Sequence, residues 1–236
     1  MTIELKGQHV LVVGAAGGIG EATVKAFAAV GAQVVATGRN TDKLISLAAV
    51  TGAETALVDF LDNDAVEAFF ESTAPFDHVV IAAAATKSGA ISTLAIEDAK
   101  ASMESKFWGA YRIARAVRIN TGGSLTFVSG FLSHRPSATS VLQGAINAAL
   151  EALGRGLALE RAPVRVNTVS PGMIDTPLWS GMSEADRQRL FEQAAAKLPA
   201  QRIGQPEDIA QAILFLATNP FATGATVMID GGGTIA

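Results

Sequence analysis

Short runs of aliphatic and β-branched residues recur along the chain, and stretches with helical spacing of apolar positions fill the intervals. The runs at 9–13, 33–37, 55–59, 78–82, 124–129, 164–169 and 226–229 predict seven strands. Helices are predicted over 18–30, 41–49, 63–73, 97–119, 138–161 and 206–217. Strand and helix alternate, which is the pattern of βαβ units and a parallel sheet. Several runs are apolar at nearly every position, as in Val10-Leu11-Val12-Val13 and Val79-Val80-Ile81. A strand of that kind is buried on both faces, so helices should cover both sides of the sheet. The expected fold class is therefore α/β, three-layered and doubly wound. Thr41 is placed to cap its helix, and Pro206-Glu207-Asp208 reads as a helix start with acids at the positive end of the dipole.

An extra helical piece at 183–197 breaks this rhythm after the sixth strand, near the carboxyl ends where ligands of such sheets bind. With its flanks, 177–200, it is expected to act as a substrate lid. No repeat or low-complexity tract divides the chain. A length of 236 residues, 49% hydrophobic, suits one domain over 1–236.

Composition narrows the function. Eighteen basic residues against 22 acidic ones give a net charge of −4, with the basic residues scattered, so nucleic acid is not an expected partner. Cysteine is absent and the three histidines, His9, His78 and His134, are far apart, so no metal site is expected. The most apolar stretch, 79–85, is too short for a membrane span of about 20 residues. The first residues lack a signal-peptide layout, and a cytoplasmic location is the expectation.

The first strand is followed by Gly14-Ala15-Ala16-Gly17-Gly18-Ile19-Gly20. Glycines there let the backbone turn tightly and approach a pyrophosphate, while the next helix offers free N–H groups and a positive dipole end. In this strand–turn–helix context Gly14, Ala16, Gly17, Gly18, Ile19 and Gly20 are expected to bind a dinucleotide. The second strand runs out through Gly38, Arg39 and Asn40, with no carboxylate for a ribose 2′-hydroxyl. The Arg39 fork suits a 2′-phosphate instead. NADP(H) is therefore expected ahead of NAD(H). Asp59 could accept from the adenine amino group, with Phe60 beside it.

With these segments, the chain resembles the short-chain dehydrogenase/reductase family over nearly its whole length. The likeness rests on Gly14-x-x-x-Gly18-x-Gly20, Leu157-Ala158-Leu159-Glu160, 164–172 (Val-Arg-Val-Asn-Thr-Val-Ser-Pro-Gly), and Thr223-Gly224 through Asp230-Gly231-Gly232. It implies a Rossmann fold, a homodimer or homotetramer, and a small carbonyl or alcohol as substrate. It also implies that Pro171, Gly172, Ile174 and Thr176 line the nicotinamide and diphosphate end, and that Ala82 and Ala83 stand where the family has a polar turn.

The family works with an Asn-Ser-Tyr-Lys set. Alignment with its motif puts Gln143 at the Tyr position and Asn147 at the Lys position, four residues apart on one helical face. The chain's single tyrosine, Tyr111, lies in the preceding helix. Lys106 stands where Asn is expected. The usual Ser spacing falls on Gly130, with Ser129 one residue away. Lys106, Ser129, Gln143 and Asn147 are thus the candidate catalytic residues, Lys106 being the substitute donor for an oxyanion or proton. Ser133 and His134 follow the same strand, and His134, beside Arg135 and Pro136, reads as a loop histidine. His9 and His78 read as structural. Two functions remain open at this point: an NADP(H)-dependent oxidoreductase with an atypical site, and an NADP(H)-binding sensor or regulatory protein without turnover. Non-redox chemistry on the same fold has no residue pointing to it.

Overall fold

The computed structural model describes residues 4–236. Seven parallel strands form one sheet in the order β3-β2-β1-β4-β5-β6-β7. They are β1 (His9–Val13), β2 (Gln33–Gly38), β3 (Glu54–Leu57), β4 (Phe76–Ile81), β5 (Ile119–Val128), β6 (Arg165–Pro171) and β7 (Thr226–Ile229). The helices are α1 (Gly18–Ala29), α2 (Thr41–Thr51), α3 (Asn63–Ser72), α4 (Ile96–Met103), α5 (Gly109–Ala116), α6 (Val141–Glu160), α7 (Glu184–Ala195) and α8 (Pro206–Thr218). Strand order reverses at β1, which has β2 on one side and β4 on the other. That reversal opens a crevice at the carboxyl ends.

The all-apolar strands do what their pattern predicts. Leu11 and Val13 point to one face, where Val79, Ile81, Leu125 and Phe127 join them against α3, α5 and α6 through Val66, Phe70, Ile113 and Leu150. Val10 and Val12 point to the other, with Val34, Ala36 and Val80, against Phe27 of α1, Leu44 of α2 and Ile209 and Ile213 of α8. Each such side chain contributes about 1.5–3 kcal/mol on burial, so successive residues of one strand anchor two layers.

Three local features differ from expectation. The helix expected over 97–119 is α4 and α5 joined by a π turn, Glu104–Trp108, and it ends at Ala116. The fifth strand starts at Ile119 rather than Ser124, pairing Ile119 with Phe76 across a register shift. Gly122 and Gly123 look like a strand break in the sequence; here Gly122 adopts φ +83°, the conformation that lets a strand bulge and continue. Finally, α2 is capped by Asn40, whose Oδ1 accepts from the Lys43 N–H at 3.0 Å, and Thr41 is its first helical residue.

At the edge away from the crevice, arginines satisfy the carbonyls that helix ends leave free. Arg118 donates to Phe70 and Thr73 at the end of α3, Arg161 to Ala114 and Val117 at the end of α5, and Arg165 to Leu216 and Ala217, both at 2.6 Å, at the end of α8. Among the described residues no helix is long and apolar enough to cross a membrane.

Candidate active site

The glycine loop sits at the end of β1. Gly14 has φ +85°, and a Cβ there would lie 2.6 Å from the backbone nitrogen of Ala83, so conformation and space both require glycine. Its N–H and that of Ala15 donate to the Thr37 carbonyl at 2.9 Å, which fastens the loop to β2. The N-cap of α1 is Gly17, with no side-chain cap. The first N–H groups of the helix, at Gly18, Ile19 and Gly20, therefore stay available to an anion. Ala82 donates to the Val13 carbonyl at 2.9 Å, so 82–83 runs alongside this loop.

At the end of β2 the close neighbour of Gly38 is Ala16, which brings Arg39 beside the glycine loop. Arg39 is exposed, and among the described residues no hydrogen bond or ion pair engages it. Asn40 spends its side-chain oxygen on the α2 cap. Asp59 is exposed beyond the end of β3, its carboxylate accepting from the Leu61 N–H at 3.1 Å. The Phe60 ring packs in the core, so only its backbone can face a ligand.

A cleft of about 540 Å³ opens at the carboxyl ends of the strands. It joins the loop residues 17–20 and Ala82 to Lys106, Ser129, Gln143 and Asn147, with Pro171, Gly172, Ile174 and Thr176 on the opposite wall. Pro177, Leu178 and Trp179 form its rim. Gly14, Ala16, Gly38, Arg39, Asn40, Asp59, Phe60 and Ala83 are outside this lining, with Gly38 ending β2, Arg39 and Asn40 following it, and Asp59 and Phe60 following β3.

Lys106 lies in the π turn. Insertions of this kind are frequent at functional sites because they redirect side chains from an otherwise regular helix. Its Nζ donates to the Ser129 carbonyl at 2.6 Å and to Asn147 Oδ1 at 2.7 Å. An ammonium has three N–H bonds, so one is left, and the residue lines the cleft. Protein encloses the ammonium, and this burial pushes its pKa down to about 8, against the Glu151 carboxylate, which favours the charged form.

Lys106 and Asn147 thus form one contact: a lysine from the π turn meets an asparagine from α6. Gly130 makes room for it, since a Cβ there would lie 2.7 Å from Asn147 Nδ2. Gln143 spends its amide nitrogen elsewhere: Nε2 donates to the Lys87 carbonyl. This ties α6 to residues 85–87, which Ser105 and Ser102 also hold by accepting from the Ala85 and Lys87 N–H groups at 2.8 and 3.0 Å. The Ser129 hydroxyl donates to Glu151 Oε1 at 2.9 Å, so this serine presents its carbonyl, not its hydroxyl, to Lys106.

Glu151 is absent from the residues expected of the site. It is buried, at 4% exposure, and its oxygens also accept from Ser133 Oγ at 2.6 Å and Ser170 Oγ at 3.3 Å, with His134 Nε2 at 3.1 Å. The signal for it was spacing: Gln143, Asn147 and Glu151 repeat every fourth residue as a polar stripe on an apolar helix. His78 and His9 lie at the opposite end of the strands, where His9 stacks on Phe76 at 4.4 Å.

Comparison with known proteins identifies the family. Residues 14–234 match the family model described as enoyl-(acyl carrier protein) reductase. A short-chain dehydrogenase/reductase, ATR9, of Stachybotrys chlorohalonatus is 30% identical, with 97% of both chains covered. The 2,3-dihydro-2,3-dihydroxybenzoate dehydrogenase of Escherichia coli K12 is 33% identical over 99% of both. A solved small-chain dehydrogenase in complex with NADPH superposes with a TM-score of 0.84 at 31% identity, covering 97% of this chain and 99% of that one. The chain belongs to the short-chain dehydrogenase/reductase family.

Proposed function

We propose that this protein is an NADP(H)-dependent oxidoreductase that interconverts a small carbonyl compound and its alcohol, with Lys106 as the proton donor. The observation that carries the reading is the tether of Lys106: two N–H bonds are fixed on Ser129 and Asn147, and the third remains on a residue that lines the cleft. On this reading the family's Tyr and Lys positions hold Gln143 and Asn147, and the cation enters from the facing helix instead. An amine with a pKa of about 8 is well matched to proton transfer near neutral pH.

The nicotinamide cofactor would supply the hydride. Gly17, Gly18, Ile19 and Gly20 would hold its pyrophosphate, Arg39 its 2′-phosphate, and Pro171, Gly172, Ile174 and Thr176 its nicotinamide end. NADP(H) is favoured over NAD(H) because Arg39 is a cation beside the loop that none of the described residues engages, and a relative of the same fold is known in complex with NADPH. As the lid we assign 177–200. Its indole at Trp179 donates to the Ile174 carbonyl at 2.9 Å and packs edge-on against Phe191, while α7 has no fully buried residue and so little to hold it in place. The family resemblance points to a homodimer or homotetramer, in keeping with the exposed Trp108 at the end of the π turn and Tyr111 on α5.

The test is titration with NADPH and NADH, followed by cofactor oxidation with ketones, diketones and quinones. Binding of NADPH with oxidation by at least one carbonyl is expected; tight binding without any oxidation would favour a sensor over an enzyme. In the same titration Arg39→Ala should weaken NADPH by roughly 10–100-fold, the value of a charge-assisted phosphate contact, and leave NADH within about twofold. Equal weakening of both would remove the phosphate assignment.

Gly130→Ala tests the tether. The added methyl displaces the Asn147 amide, and misplacement of a catalytic group by about 1 Å costs on the order of 10²-fold in rate. Turnover should fall by that order while NADPH affinity holds; an unchanged kcat would show that the Asn147 contact is dispensable.

A further inference from the structure

Glu151 has no part in the proton step just described, yet a buried carboxylate is costly unless bonded or paired, so its retention needs a cause. Its partners come from three places: Ser129 at the end of β5, Ser133 and His134 in the turn that follows, and Ser170 on β6. Two consequences follow. Ser129 is pinned through its hydroxyl, which fixes the carbonyl that receives Lys106, and the turn around Phe131 and Leu132, part of the cleft wall, is clamped to α6.

We propose that Glu151 is a positioning residue for Lys106: it holds the Ser129 carbonyl in place and supplies the negative charge that keeps the enclosed ammonium protonated. This rests on the reading of Lys106 given above. The surrounding charges leave the task to Glu151. Glu104, on the same helical stretch as Lys106, is paired with Arg112. Lys87, whose carbonyl meets Gln143, turns its exposed side chain to Asp98 at 2.8 Å. His134 approaches Glu151 from its outer side and is half-exposed. Asn147 and Ser129, the direct partners of the ammonium, are neutral. Of the influences on Lys106, burial drives it toward the neutral amine and Glu151 opposes that.

Glu151→Gln keeps the shape and an acceptor oxygen while removing the charge. The readout is trace acetylation of Lys106 by acetic anhydride across pH, quantified by peptide mass spectrometry on the free protein, alongside the pH profile of kcat. The wild-type labelling midpoint should fall near 8, and the glutamine variant's should drop by roughly one pH unit, as loss of a nearby opposite charge requires. The high-pH limb of kcat should move with it, and NADPH affinity should stay within about twofold. A role confined to packing would lower kcat or stability without moving the midpoint. Glu151→Asp, which keeps the charge but withdraws it, should give an intermediate midpoint, and it carries the test if the glutamine variant does not fold. An unmoved midpoint overturns the proposal. A midpoint that moves while the kcat limb stays put sustains the assignment of Glu151 and removes Lys106 from the proton step.

Discussion

Lys106→Met should lower kcat by about 10² to 10⁴, the usual contribution of a positioned general acid, with NADPH affinity nearly unchanged. Methionine keeps the length and apolar stem of lysine and so preserves packing in the π turn. What it removes is the ammonium, the group with a bond to spare at the cleft. The binding elements assigned to the cofactor are other residues: the glycine loop, Arg39 and the 171–176 wall. Reduction needs Lys106 protonated, so the wild-type rate should decline as pH rises through about 8, and the variant's residual rate should lack that limb. Lys106→Arg separates two roles: guanidinium retains charge to stabilise an oxyanion but does not give up a proton in this range. An arginine variant with partial activity and no high-pH decline would assign proton donation to lysine. If Lys106→Met turns over at the wild-type rate, the proposed mechanism is wrong.

Acid should destabilise the fold through His78, by about 3 kcal/mol in total. This imidazole is 5% exposed, with Nδ1 2.9 Å from Ser124 Oγ and Nε2 2.7 Å from Gln8 Oε1. Gln8 Oε1 can only accept, so Nε2 carries the proton and Nδ1 accepts from the serine in the neutral ring. Burial first, then the Arg165 charge, push its pKa from 6.5 down to about 4, with Asp77 opposing. The folded protein thus resists a proton that the unfolded chain accepts. Stability from this group is complete above pH 6.5, declines as pH falls through that value, and levels off near pH 4, with about 2 kcal/mol gone by pH 5. Urea unfolding at pH 7 and pH 5 should show this drop in the wild type and a smaller one in His78→Gln, where only the other groups titrate. Equal drops in the two proteins would exonerate His78.

Much of this architecture is legible in the chain because sheet layers are written at period two. Val10 and Val12 face one layer and Leu11 and Val13 the other, and a run without polar positions cannot be anything but doubly covered. The strands at 9–13 and 226–229 match to the residue. Legibility fails where long-range contacts decide. Nothing local distinguishes Glu104–Trp108 from the α-helix on either side, and Gly122-Gly123 carries the same turn signal whether a strand ends or bulges there. In the site, the residues at positions 106 and 147 can be read singly, but that they form one hydrogen bond depends on how α6 crosses the π turn. Glu151 is the instructive omission: its identity is visible, and its spacing from Asn147 is visible, but its burial among serines from the end of β5, the turn after it and β6 is a property of the assembled sheet.

The π turn also makes the site sensitive to chain length. One residue of α-helix corresponds to about 100° of rotation, and the turn accommodates one more residue than a regular helix path would. Deleting a single residue between Met103 and Gly109 would let the ladder close as an ordinary helix, swinging whatever occupies position 106 around the axis relative to Ile113 and Ala114, which are locked in the core. Side-chain identity at 106 and helical register therefore act together: the lysine reaches Ser129 and Asn147 only while the extra residue is kept.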